Sequence, residues 1–191
     1  MTKTPPVPDD PLLDAALKTF AHYGPRKTTM TDVAQAAGVS RQTLYARFSN
    51  KDGILEAAMA YLTEQILART AQAWEQPGSL SDKLWAYFEH TTLSVYRMVQ
   101  AAPDAEELMW GAGPAVRAAA DAAAARKAHA LTNLLEPYAD QLRHKGQSPE
   151  TIGRFIADTA MHLKHNAESE ETLIRDLTIL RQLVIEFVGG S

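Results

Sequence analysis

The chain contains no cysteine, which excludes disulfides, thiolate catalysis and cysteine metal sites, and makes a reducing cytoplasm the expected location. Its apolar runs are too short to span a membrane. Met1 is followed by TKTPPVPDDP, a polar and Pro-rich stretch where a secretory leader would turn from basic to apolar, so export is not expected either. Strand-like alternation and internal repeats are missing. Enzyme signatures are missing too: no G-x-S-x-G, no Gly-rich phosphate loop and no H-E-x-x-H, with six histidines scattered along the chain. His162 and His165 stand at i and i+3 without a third ligand nearby. The expectation is a chain without enzymatic activity, metal or cofactor.

What remains is helix. The 191 residues are 46% apolar, enough for one or two small domains with a sizeable core, and the periodicity is helical throughout, so an all-α fold is predicted. The formal charge of −4 is unevenly distributed. Through Lys51, seven Lys and Arg face four acids; beyond it, twelve face nineteen. A basic head on an acidic body concentrates attraction to phosphate at one end of the chain.

The stretch from Thr29 to Lys51, TMTDVAQAAGVSRQTLYARFSNK, explains that asymmetry. Thr29 and Asp32 have capping-box spacing, and Val33, Ala34 and Ala37 follow at helical intervals. Gly38 stands where a left-handed residue ends the first helix. Ser40 is the expected N-cap of a second helix whose Leu44 and Phe48 turn inward. Arg41, Gln42, Thr43, Tyr45 and Arg47 are left on its outer faces. Ala34 and Ala37 are small, as two closely crossing helices require. Such a pair is a helix-turn-helix, which places the N-terminal turn of its second helix in the major groove of DNA. An amphipathic hairpin without a ligand would share the spacing, but not the donor-rich outer face.

The segment from Leu12 to Leu62 resembles the DNA-binding domain of the tetracycline-repressor (TetR) family of bacterial regulators. The family pattern I/V-A-x-x-A-G-V-S, x-x-x-L-Y-x-x-F, x-x-K-E/D is met in register by Thr28, Thr29, Val33, Ala34, Ala37, Gly38, Val39, Ser40, Leu44, Tyr45, Phe48, Lys51, Asp52 and Leu55. Two positions depart from it. Gln42 stands where many members carry Gly, and Gly53 occupies the first turn of the next helix, a softening of up to about 1 kcal/mol relative to Ala. The resemblance implies phosphate contacts for Thr29, Tyr45 and Lys51, base-edge contacts for Gln42 with Arg41 and Thr43, and Ser40 and Arg47 within the same DNA-facing set. It also implies a palindromic double-stranded operator, a homodimer and a small-molecule effector.

Three regions are predicted: an arm over residues 1–10, the helix-turn-helix domain over 11–56, and a helical effector-binding and dimerisation domain over 57–191. Leu12, Leu13, Ala16, Leu17, Phe20 and Ala21 stripe a first helix that ends at Gly24-Pro25. A long helix runs from Asn50 to about Trp74, and Ser79 with Asp82 opens another that reaches about Ala102. Pro103 begins a short helix, Pro114 a long Ala-rich one that Pro137 interrupts, and the last two helices open at Ser148-Pro149 and Ser169.

The last helix is apolar around more than one face, so Ile156, Leu163, Leu173, Leu177, Leu180 and Val184 are the candidate dimer interface. Most aromatic and Met residues of the middle helices read as ordinary core. The pocket that the resemblance implies is assigned to Tyr96, Glu106, Met109, Trp110, Phe155 and His162, with Glu106 and Glu107 available to hold a cationic ligand. The sequence thus predicts a ligand-responsive repressor. Regulation by a protein partner without a small molecule is the alternative, and an exposed apolar patch on a fully packed body would favour it.

Overall fold

Side-chain caps fix where the helices begin. A computed structural model of the chain describes residues 9–101 and 113–189. Helix α1 (Pro11–Lys27) starts at Asp10, whose carboxylate accepts from the Leu13 N–H with Pro11 in the first turn. Asp10, expected in the N-terminal arm, is therefore part of the fold. The helix breaks at Gly24, which has φ 75°, and Pro25 lacks the N–H to continue, so only a short last turn follows. The sequence signal for a stop at Gly24-Pro25 is met by this kink.

Helix α2 (Met30–Ala36) carries the full Thr29–Asp32 capping box, and α3 (Arg41–Arg47) starts at Ser40, which accepts from the Thr43 N–H. Between them Gly38 takes φ 65°. Its N–H donates to the Gln35 carbonyl and that of Val39 to Ala34, closing the two reverse bonds of a Schellman turn. Helix α4 (Lys51–Trp74) opens at Asn50, whose side-chain oxygen accepts from the Gly53 N–H at 2.9 Å. Leu13, Phe20, Val33, Leu44, Ile54 and Ala58 are the buried core of this head.

Helix α5 (Leu80–Phe88) does not run on to residue 102 as one α-helix. It passes through a π-helical turn, Glu89–Leu93, into α6 (Ser94–Ala101). Around that turn the Thr91 hydroxyl donates to the Tyr87 carbonyl at 2.8 Å and the Ser94 hydroxyl to that of His90. The short helix expected from Pro103 lies outside the described residues.

Helix α7 (Pro114–Leu135) gives way at Pro137 to a 3-10 turn, Glu136–Tyr138, before α8 (Ala139–His144). Two long helices close the chain: α9 (Pro149–Asn166), capped by Ser148, and α10 (Glu170–Val188), capped by Ser169 and ended by Gly189 at φ 82°. A Cβ on Gly153 of α9 would stand 2.8 Å from the backbone nitrogen of Thr132 on α7, so the two helices cross backbone to backbone.

By its internal contacts the chain forms two units, one of Pro6–Gln65 with Met98–Ala123, the other of Ile66–Arg97 with Ala124–Ser191. The division falls within α4, because one unbroken helix carries through the boundary expected at residue 56. The second unit, the body, is built around Leu84, Tyr87, Phe88, Leu131, Leu135, Ile156, Leu173 and Leu177. No helix among the described residues is long and apolar enough to cross a membrane.

Candidate nucleic-acid interface and the faces of the body

In the head, burial divides α3 cleanly. Leu44 is fully buried against the rest of the unit, whereas Arg41, Gln42, Thr43, Tyr45 and Arg47 are all exposed. Every donor-bearing side chain of the helix reaches solvent, with Ala46 the one other exposed residue. The Arg41 guanidinium lies 5.9 Å from the centre of the Tyr45 ring on the outer face. Gln42 stands at the helix start, in the turn whose free N–H groups favour anions.

The other expected DNA residues have internal partners. Thr29 donates its N–H and its hydroxyl to the Asp32 carboxylate, both at 2.8 Å, and these bonds hold that carboxyl below its usual range. The hydroxyls of Ser40 and Thr43 are 2.9 Å apart and share one hydrogen bond, so the side-chain oxygen of Thr43 belongs to the cap as well as to the outer surface. Lys51 donates to the carbonyls of Pro25 at 2.7 Å and Arg26 at 3.2 Å, closing the frayed end of α1. Arg47 forks onto the Asp10 carboxylate, Nη1 to Oδ1 at 3.2 Å and Nη2 to Oδ2. That guanidinium is the main reason the Asp10 carboxyl sits below its ordinary range, burial opposing it. The sequence reading missed Asp10. An Asp followed by Pro11 at a helix start is an N-cap signal, but its pairing with a residue 37 positions away is not local.

The body divides the expected dimer residues. Ile156, Leu173 and Leu177 belong to the protomer's own core at 0% exposure, whereas Leu180 and Val184, also in that core, and Leu163 reach an open groove beside it. Leu163 is half-buried against the same core. The uncovered apolar surface is the neighbouring face of the same two helices: Phe155 at 57% and Leu183 at 59% exposed, with Ile179 and Phe187 beside them. These side chains rim an open groove of about 740 Å³ between α9 and α10, with Leu180 and Val184 reaching its floor.

Of the expected ligand lining, three residues are described, and Tyr96 stands apart from the other two. Tyr96 is buried in the core of the body, Phe155 stands on the outer groove, and His162 is exposed on α9 with its backbone carbonyl and ring beside Asn166. Ile156 and Ala160 turn inward on α9, so Phe155 and His162, seven residues apart on another face, do not. Glu106, Glu107, Met109 and Trp110 lie outside the described residues.

Two lysines are drawn into the body. Lys164 on α9 is buried, and desolvation, followed by the like charge of Lys127, pulls its ammonium down to about 7. Desolvation takes half-buried Lys127 on α7 down to about 8. No group of three or more His, Asp or Glu among the described residues gathers into a metal site.

Comparison with known proteins agrees with the head. The profile of the bacterial regulatory proteins of the tetR family matches residues 12–58. The HTH-type transcriptional repressor ComR of Escherichia coli is 34% identical over 80 residues, covering 41% of this chain and 38% of that protein. The HTH-type transcriptional regulator BetI of Burkholderia thailandensis is 38% identical over 61 residues, 32% of this chain and 31% of that one. These matches span less than two fifths of the relatives' length. In fold the likeness covers nearly everything. A transcriptional regulator from Rhodococcus superposes with a TM-score of 0.68 at 21% identity over 94% of this chain and 96% of its own. The regulator FadR of Bacillus subtilis, solved in complex with stearoyl-CoA, gives 0.61 at 16% identity over 93% and 96%. Residues 12–58 are thus a helix-turn-helix head of the tetR type, and the chain as a whole shares the all-helical fold of solved transcriptional regulators.

Proposed function

We propose that this regulator is a homodimeric, ligand-responsive repressor that reads a palindromic operator with two helix-turn-helix heads. The observation that carries the reading is the open apolar face of α9 and α10. Phe155, Ile179, Leu183 and Phe187 stand in solvent on a body that already has its own closed core. Bare apolar surface of that kind marks an interface. A second copy, set about a two-fold axis, covers it with the same four side chains and brings two recognition helices to one DNA. One helix reads too few bases for useful specificity, and two reading a symmetric site multiply it.

On each head, Thr29, Tyr45 and Lys51 anchor phosphates while Arg41, Gln42 and Thr43 meet base edges, Gln42 foremost because its amide can pair bidentately. The effector is a small molecule bound in the body. FadR of Bacillus subtilis, a protein of this fold, holds stearoyl-CoA; the device is carried across here, not that ligand. Release follows by linkage: a ligand that prefers the spacing unable to grip both half-sites weakens DNA binding by the factor by which DNA weakens ligand binding, typically about 5- to 150-fold. The test is selection of bound duplexes from a random pool by the purified protein, alongside light scattering. A symmetric consensus and a dimeric mass are expected. An asymmetric consensus bound by a monomer overturns the proposal.

A further inference from the structure

Asp10 is an acid placed beside the DNA-reading helix, where a negative charge repels phosphate. Its position is fixed from two sides. Its Oδ1 accepts from the Leu13 N–H at 3.2 Å at the start of α1, and its own N–H donates to the Tyr61 hydroxyl of α4 at 3.3 Å. The positive end of the α1 dipole favours the charged carboxylate there. Arg47 comes to it from the last turn of α3, and the two meet fork to fork. A guanidinium makes the same planar bidentate pair with carboxylate and with phosphate. The two partners are unequal: the Asp10 side chain is 20% exposed and tied to the scaffold, while that of Arg47 is 47% exposed at the end of a long, rotatable stem. Arg47 is the half that can leave.

We propose that the Asp10 carboxylate is an internal stand-in for a DNA phosphate, which occupies Arg47 in the free protein and lowers affinity for duplex DNA of any sequence until a backbone phosphate takes its place. Arg47 is then a phosphate contact held in reserve, and Asp10 sets the affinity for DNA without touching it. An exposed ion pair is weak enough to be exchanged. The exchange acts on DNA in general, since phosphate carries no sequence. The cost of breaking the pair is the same on operator and non-operator DNA, because it belongs to the free protein that both share. This rests on the reading of α3 as the DNA-facing helix.

The experiment measures affinity of the full chain for a mixed-sequence duplex across a salt series, for wild type, D10N, R47A and the double variant. Asn keeps the N-cap and removes the charge, so the fold of α1 is preserved. D10N is expected to bind the mixed-sequence duplex about two- to fivefold more tightly. R47A is expected to bind more weakly and to reduce the slope of log K against log salt by about 0.9. The decisive comparison is that R47A should cost more affinity in the D10N background than in wild type, because the competitor has gone. If the pair is only a structural clip, D10N weakens binding as much as R47A does, and the second substitution adds nothing to the first; that result overturns the proposal. Should D10N melt several degrees below wild type, Asp10→Ser, which also caps without charge, carries the same comparison. A wild-type chain that binds no duplex at any salt concentration fails the DNA-facing reading of α3 itself, whereas a binding wild type with an unimproved D10N fails only the stand-in.

Discussion

The ammonium of Lys51, at the first residue of α4, donates to the carbonyl of Pro25, 26 positions earlier, at 2.7 Å. A second bond goes to Arg26. One of its three N–H donors is left for a phosphate, so the residue has two roles that fail separately. Lys51→Ala is expected to remove about 1 kcal/mol of stability from the head through the orphaned carbonyls. It should also lower the slope of log K against log salt by about 0.9 on every duplex. Thermal melting and a salt series check the two parts. A fall in melting temperature with an unchanged salt slope would leave Lys51 a helix tie and nothing more.

Gln42 has the opposite character. It is exposed at the start of α3, while Leu44 of the same helix carries the packing. Gln42→Ala should leave stability and binding to mixed-sequence DNA nearly unchanged, while costing about 1 to 3 kcal/mol on the selected operator. Binding to operators altered one base pair at a time should show relaxed preference at one symmetric pair of positions. Equal loss on both kinds of DNA would make it an anchor.

The two faces of the last helix can be told apart by charge. Leu183→Glu puts a carboxylate on the open face of α10, and Leu177→Glu puts one at a site with 0% exposure. The first should give a folded monomer with full helical circular dichroism and lost operator affinity. The second should unfold the body, since an unpaired buried charge costs more than a domain's margin of stability allows. Light scattering and circular dichroism separate the outcomes. A dimeric Leu183→Glu protein would place the interface elsewhere.

Those two leucines also show what the sequence could carry. Caps are local, so Thr29, Ser40, Ser79, Ser148 and Ser169 mark helix starts that the structure places at those residues. Pro137 marks its break for the same reason. The band on α10 was legible as wider than one face, but which half turns inward depends on what α5 and α9 present, and Leu177 and Leu183 are the same residue type. The π turn at Glu89–Leu93 is a single widened turn inside a longer helical stretch, which an apolar period does not report. Arg47 read as a free groove residue because its partner is distant in sequence. The lysines of ARKAHA and HLKHN carry no mark of burial in the sequence, since burial of a charged end follows from packing between helices and not from the residue type.

That burial has a consequence for pH. Lys164 is held near 7 and Lys127 near 8 in the folded body, against an ordinary value of 10.5 in the unfolded chain. Between those limits the unfolded chain binds more protons than the folded one, so unfolding free energy rises with pH. The penalty for holding both ammonium groups is fully present below about 7, is relieved as pH climbs through 7 and 8, and is gone once the unfolded lysines also lose their protons above about 10.5. Denaturant midpoints measured by circular dichroism should therefore increase from pH 7 to pH 10. Lys164→Met keeps the length of the side chain and removes the titrating group; it should flatten the dependence, with the remainder belonging to Lys127. A slope that Lys164→Met leaves intact would mean that Lys164 is not the group that titrates.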